Sequence, residues 1–280
     1  MADKALVLGG GGLTGIAWET GILSGLAENG VDLTDADLIV GTSAGSVVGV
    51  DIRAGTPLAE LYKVQSAPTA PTETSAKMGR AIMLRYAMAV SFTRKPLVAG
   101  RRIGKVALRS KTESEAERRR VFEGRMGTLE WPAGDLKITA VETITGEFTV
   151  FDATSGVSLI DAVGASCAVP GIWPPVTING KRYMDGGMRS AANADLAAGY
   201  QRVVVIAPLH QGFGPIVSVA RQAQQLRAHG SSVIVITPDS AALEAIGKNV
   251  LDPANRPAAA AAGQAQAGAE APAVAAVWNV

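Results

Sequence analysis

Cysteine is nearly missing from this sequence: Cys167 is the single one in 280 residues. No disulfide can close within the chain, and no cysteine cluster exists for zinc. Histidine is almost as scarce. His210 and His229 are the only two, so a three-histidine metal site cannot be built from this chain alone. Long apolar runs are lacking too. The best candidate, Ala81 to Phe92, is broken by Arg85 and falls short of the roughly eighteen residues a spanning helix needs. The opening Met1-Ala2-Asp3-Lys4 reaches glycine at residue 9, which leaves no signal-peptide apolar core. The expectation is a soluble, cytoplasmic protein. Charge of one sign is not in excess, because 26 Lys and Arg face 25 Asp and Glu for a net +1. That balance argues against nucleic acid as a partner. What the chain has is core material: 48% hydrophobic and 18% charged residues exclude a disordered or fibrous chain.

The pattern along the chain is α/β. Lys4 to Leu8 is a short apolar run ending in four glycines, and Ile16, Ile22, Leu23 and Leu26 then share one helix face. Asp37 to Val40 reads as a second buried strand, followed by a small-residue turn and a helix-compatible stretch to Ala54. Repetition of strand, glycine turn and helix predicts a largely parallel sheet with helices on both faces. Two hairpins are expected, around Thr145-Gly146 and Asn179-Gly180, the latter a strong two-residue turn signal. Strands at Arg202 to Ala207 and Ser232 to Thr237 resume the parallel pattern. Residues 57–130 read as a helical insertion within a domain spanning 1–253. Eleven of the 26 basic residues fall between Arg94 and Arg125 against four acids, so that segment carries +7 and the remainder −6. It is either a solvated helix face or a surface for anions. From Ala254 to Ala276, thirteen of 23 residues are alanine; residues 254–280 are expected to form a packing helix interrupted near Pro272, or a frayed tail.

The glycine loop Gly10-Gly11-Gly12-Leu13-Thr14-Gly15 satisfies G-x-G-x-x-G between a strand and a helix, the setting of a dinucleotide site. The ribose-binding acid is absent, because the end of the second strand is Gly41-Thr42-Ser43, while Asp35 and Asp37 stand at the wrong edge of the sheet. The same geometry serves as an oxyanion hole, where glycines let backbone N–H groups converge at a helix N-terminus. A nucleophile follows in the next turn. Gly41-Thr42-Ser43-Ala44-Gly45 is G-x-S-x-G where a buried strand must turn into a helix. The bland alternative is a serine that only caps the helix.

Serine needs a base. His229 precedes a strand, at the amino edge of the sheet, away from the site. His210 follows one, at the carboxyl edge, and is a conceivable base. Asp185 ends the second hairpin and is followed by Gly186-Gly187, which permit close backbone approach. Asp185 is either the base or an ordinary turn-former.

Taken together, Leu6 to Gly15, Gly41 to Gly45, and Ala165-Ser166-Cys167-Ala168-Val169-Pro170-Gly171-Ile172-Trp173-Pro174-Pro175 running on to Tyr183-Met184-Asp185-Gly186-Gly187 closely resemble the patatin-like phospholipase family. The resemblance implies a three-layer α/β sandwich and a Ser43-Asp185 dyad that dispenses with histidine. It makes Gly10, Gly11 and Gly12 the oxyanion loop, with Gly41, Gly45, Gly186 and Gly187 as supporting positions. No metal or organic cofactor is implied. The substrate would be an ester or phospholipid, with peripheral contact to an anionic membrane surface through the basic segment. The apolar set Met78, Ile82, Met83, Leu84, Met88, Val90 and Phe92 would take the acyl chain or merely pack the helices together. The family commonly has Arg or Lys where this chain has Thr14, which bears on headgroup preference. Two other readings use the same pocket: an acyltransferase or biosynthetic esterase on a non-lipid ester, and a catalytically idle lipid-binding protein.

Overall fold

An apolar run without a polar face belongs in a strand covered on both sides. Strand β1 (Lys4–Leu8) is such a run, with Ala5 to Leu8 fully buried. The computed structural model describes residues 3–69, 75–126, 130–212 and 214–279; positions 70–74 and 127–129 of the expected insertion lie outside them. After β1 come α1 (Gly12–Glu28), β2 (Leu38–Gly41) and α2 (Ala44–Arg53). Four further helices precede the next strand: α3 (Leu58–Ser66), α4 (Arg80–Val90), α5 (Pro96–Arg109) and α6 (Glu115–Glu123). Proline at the first turn starts α5, and a reciprocal capping box between Ser114 and Glu117 starts α6. The hairpin β3 (Asp135–Glu142) and β4 (Phe148–Phe151) leads to α7 (Leu159–Ser166), then to β5 (Val176–Ile178) and β6 (Lys181–Asp185). Asn179 and Gly180 both take positive φ, 49° and 76°, as a tight two-residue hairpin turn requires. The chain closes with β7 (Arg202–Ile206), α8 (Val219–Ala228), β8 (Ser232–Ile236), α9 (Ser240–Ile246) and α10 (Arg256–Trp278).

The sheet runs β5-β6-β3-β2-β1-β7-β8, with β4 paired to β3. Strands β3, β2, β1, β7 and β8 are mutually parallel, and β4, β5 and β6 supply the antiparallel pairs. The period of two sorts side chains to opposite faces. Leu6, Leu8 and Ile39 enter one core with Trp18, Ile22, Val163 and Trp278. Ala5, Val7, Leu38 and Val40 enter a second with Val205, Val219 and Leu226. Helices therefore cover both faces, giving the expected three layers. Helices α4 and α5 join the second face farther along, packing Ala89, Val90 and Ile103 onto Val141 and Met184.

One expectation fails. Helix α10 runs unbroken through Pro272 and lies along α1, where Gly21, Gly25 and Gly263 let the two backbones approach closely. A proline ring presses on the carbonyl four residues earlier. Here that residue is Gly268, exposed and with open space around it, so its carbonyl can tilt outward without ending the helix.

Candidate active site

Parallel strands β1 and β2 end side by side, Leu8 opposite Gly41, so the two turns that follow open on the same sheet edge. Ser43 is the turn after β2. Its φ of 52° and ψ of −114° lie in a region that side-chain-bearing residues rarely enter, at a cost of about 1–3 kcal/mol. Surrounding bonds hold it there. Its N–H donates to Ser166 Oγ at 2.9 Å, and its carbonyl accepts from Ser46 Oγ at 2.6 Å and Cys167 Sγ at 3.3 Å. The elbow is possible because Gly45 has no side chain: a Cβ there would stand 2.2 Å from the Leu8 carbonyl oxygen.

Asp185 arrives from the opposite strand direction. Strand β3 continues past its pairing with β2, which ends at Ile138, and antiparallel β6 pairs that overshoot through Ala140 and Asp185. Asp185 is thereby delivered to the level where Ser43 turns. Its N–H donates to the Ala168 carbonyl at 3.0 Å and its Oδ1 accepts from Gly187 N–H at 2.7 Å. Burial pushes its carboxyl pKa up to about 6, while hydrogen bonds from the Ser43 side chain and the Gly187 amide pull it back toward ordinary values. Ser43 and Asp185 are thus brought together. His210 and His229 are not: His229 bonds the Gln225 carbonyl at the end of α8, and among the described residues no bond links His210 to either group. Cys167 is close to both, but burial and the Asp185 charge push its thiol up to about 12, which keeps it protonated.

The glycine loop divides in two. Gly10 N–H is committed to the Ala191 carbonyl at 2.7 Å, although Gly10 lies against the Ser43 side chain. Among the described residues no bond engages the N–H of Gly11 or Gly12. Gly12 takes a φ of 62° and lines the cavity with Ser43. Ala44, the residue after the serine, also has an unengaged N–H among the described residues. Its place in the elbow is a sequence signal that motif reading passed over. Thr14 turns away, its hydroxyl donating to the Val250 carbonyl at 3.3 Å.

Several supporting residues had no such signal. Asn193, in the left-handed conformation, donates to Thr42 Oγ1 at 3.0 Å and to the Gly186 carbonyl at 3.3 Å, tying the serine elbow to the Asp-Gly-Gly turn. Thr139 Oγ1 bonds Thr42 Oγ1 at 2.9 Å in the same network. Tyr86, from α4, donates to the Pro170 carbonyl at 2.8 Å, and burial followed by the Asp185 charge pushes its hydroxyl well above the usual range.

A cavity of about 360 Å³ opens beside Ser43. Its apolar wall comes from Ile16, Val47, Phe122, Met126 and Leu251, not from the α4 set expected to take an acyl chain. In α4, Met83, Leu84 and Met88 face solvent, as does Phe92 just beyond it, while Val90 is buried among helices. The basic segment also divides. Arg119 pairs with Glu123 and Asp161, whereas Arg118 lies in the cavity. The amphipathic pattern of α6 could not distinguish the two, because the partner surfaces come from α7 and from the Trp173 loop.

Fold and site together define an α/β protein with a serine at a strand-to-helix elbow and a buried carboxylate beside it. The chain belongs to the patatin-like phospholipase family, whose sequence profile matches residues 6–198. That membership puts it among lipid hydrolases in general. Similar solved structures include VipD from Legionella pneumophila (TM-score 0.48, 13% identity), for which 98% of this chain covers 67% of the other. A second is the type III effector protein ExoU (TM-score 0.46, 16% identity), for which 98% of this chain covers 53% of the other. Among the described residues, no helix is long and apolar enough to cross a membrane.

Proposed function

We propose that the protein is a serine acyl hydrolase that cleaves carboxylic esters of lipids through Ser43 and Asp185. The observation that carries this reading is the positive-φ elbow at Ser43, whose side chain lowers the raised pKa of the buried Asp185 carboxyl, beside unengaged backbone N–H groups. Ser43 Oγ attacks the ester carbonyl carbon and its proton passes to the Asp185 carboxylate. The carbonyl oxygen, now negative, is met by the N–H groups of Gly11, Gly12 and Ala44. Collapse breaks the ester C–O bond, and the departing alcohol takes the proton from Asp185. Water then attacks the acyl-serine by the same route, giving its proton to Asp185, which returns it to Ser43 as the fatty acid leaves. The cavity beside Ser43 accepts the acyl chain, and the exposed apolar residues of α4 with the cations of α5 meet an anionic lipid surface.

A fluorophosphonate probe should label Ser43 in the wild type and leave Ser43→Ala unlabelled, with turnover in a panel of p-nitrophenyl esters and defined phospholipids. A folded wild type that neither takes the label nor turns over any ester would instead be an idle binding protein. Acyl transfer to an added alcohol in preference to water would make it a transferase.

A further inference from the structure

The Ser43 cavity is lined by two arginines that the chemistry above does not use, Arg118 part-buried and Arg125 exposed to solvent. Arg118 and Arg125 both line it, two helical turns apart in sequence. The Arg118 side chain is only 14% exposed, and its guanidinium carbon stands over Trp173, 3.7 Å from the ring centroid, with Phe122 at 4.8 Å. Stacking fixes the plane of the group while leaving its N–H donors unspent. They are unspent: no described residue accepts a hydrogen bond from the Arg118 side chain, and its buried Nε has no partner within bonding distance. The acid in the cavity, Glu113, stands 3.9 Å from that Nε. The cavity lining thus carries one carboxylate and two arginines, and burial together with the Arg125 charge lowers the Arg118 pKa. Arg118, Cys167 and Ser43 line the same cavity, so the cation and the candidate nucleophile face one space.

A largely buried cation with free donors and a like-charged neighbour calls for an anion. Its use of Trp173 also matters. The aromatic face that would otherwise welcome a quaternary ammonium is covered by the guanidinium. We propose that Arg118 and Arg125 form a phosphate-recognition site that makes the enzyme select lipid esters with a net-anionic phosphate headgroup over zwitterionic choline lipids. This rests on the hydrolase reading, but the site itself is tested apart from it. Arg118 and Arg125 are specificity-determining residues, and Ser43 and Asp185 do the chemistry.

The discriminating quantity is a ratio. kcat/KM for 1-lauroyl-glycerophosphate is divided by that for 1-lauroyl-glycerophosphocholine, both as monomers in solution. The wild type should favour the anionic substrate. Arg118→Gln and Arg125→Gln should each lower the ratio about ten- to a hundredfold, the worth of a hydrogen bond to a charged group. Arg118→Lys, which keeps charge but loses the fixed plane, should fall between. Arg125→Gln disrupts no described stacking, so it stays informative if Arg118→Gln folds poorly. In parallel, calorimetry on Ser43→Ala should show tighter binding of dodecyl phosphate than of dodecylphosphocholine, and Arg118→Gln added to it should erase the difference. A wild-type ratio near one, or a ratio unmoved by either arginine variant, overturns the proposal. Inorganic phosphate binding as tightly as dodecyl phosphate also overturns it, by making this a free-phosphate site. A binding preference without any ester turnover sinks the hydrolase reading and leaves the site standing.

Discussion

Ser43 and Asp185 are each unusual for the same reason: the fold holds them where an isolated residue would not stay. A serine at positive φ and a carboxylate almost without solvent both cost stability, and both costs are concentrated at one point. If the two act as a unit, Ser43→Ala and Asp185→Asn should each abolish nearly all turnover, and the double variant should lose little more. An active Asp185→Asn variant would return attention to His210. The raised Asp185 pKa gives a second prediction. The base must be ionised, so kcat/KM should fall as pH drops through about 6. Stability runs the other way. Burial favours the protonated carboxyl in the fold, whereas in the unfolded chain it titrates near its ordinary value of about 3.9. Well below about pH 4 both states are protonated and nothing is lost; above about pH 6 the fold bears the full cost of the buried charge. Asp185→Asn should therefore raise stability above pH 6, by up to about 3 kcal/mol, and the gain should shrink as pH falls through about 4 and vanish roughly a unit below it. Thermal melts of the two proteins across that range decide it.

The elements bring those residues together through backbone geometry. Both turns depend on close backbone approach, at Gly45 against Leu8 and at Gly12 in the left-handed region. Gly11 and Gly12 offer N–H groups, whereas that of Gly10 is spent on Ala191. Replacing Gly11 or Gly12 by alanine crowds Pro208 or Val250, and if the loop holds the oxyanion as proposed, losing one donor should cost ~10²–10³ in kcat. Circular dichroism should show the fold retained. Full activity in both variants would leave the loop a purely structural turn. The loop's motif was legible because G-x-G-x-x-G between strand and helix restricts backbone shape. Which amides remain unengaged was not, since Ala191 lies far off in sequence and meets Gly10 only in the assembled sheet.

At the scale of the whole molecule, charge and apolar surface gather at one place. Met83, Leu84, Met88 and Phe92 are exposed around α4, and Arg94, Lys95 and Arg101 are exposed beside them. Binding to anionic vesicles should weaken as salt rises, because exposed charges act over a Debye length of about 8 Å. It should weaken further in an Arg94→Gln, Lys95→Gln, Arg101→Gln variant, each cation contributing about 1 kcal/mol near such a surface. Co-sedimentation that ignores both salt and the triple substitution removes the membrane proposal. Arg118 and Arg119 are unsuitable for this test, one being inside the cavity and the other paired.

Local rules carried much of the reading. Apolar runs without a polar face specified the inner strands, Asn179-Gly180 specified a hairpin, and small residues around Ser43 specified an elbow, because each depends on steric limits among near neighbours. The α/β class, the family and the ordered blocks around Ser43 and Asp185 were therefore readable from the sequence by itself. Tertiary structure decided the rest. It carried α10 straight through Pro272 onto α1, let β3 overshoot β2 so that β6 delivers Asp185 beside Ser43, and turned Arg118 inward onto Trp173 while Arg119 stayed with its acids. Those outcomes depend on surfaces distant in sequence, and only assembly of the three layers determines which surfaces meet.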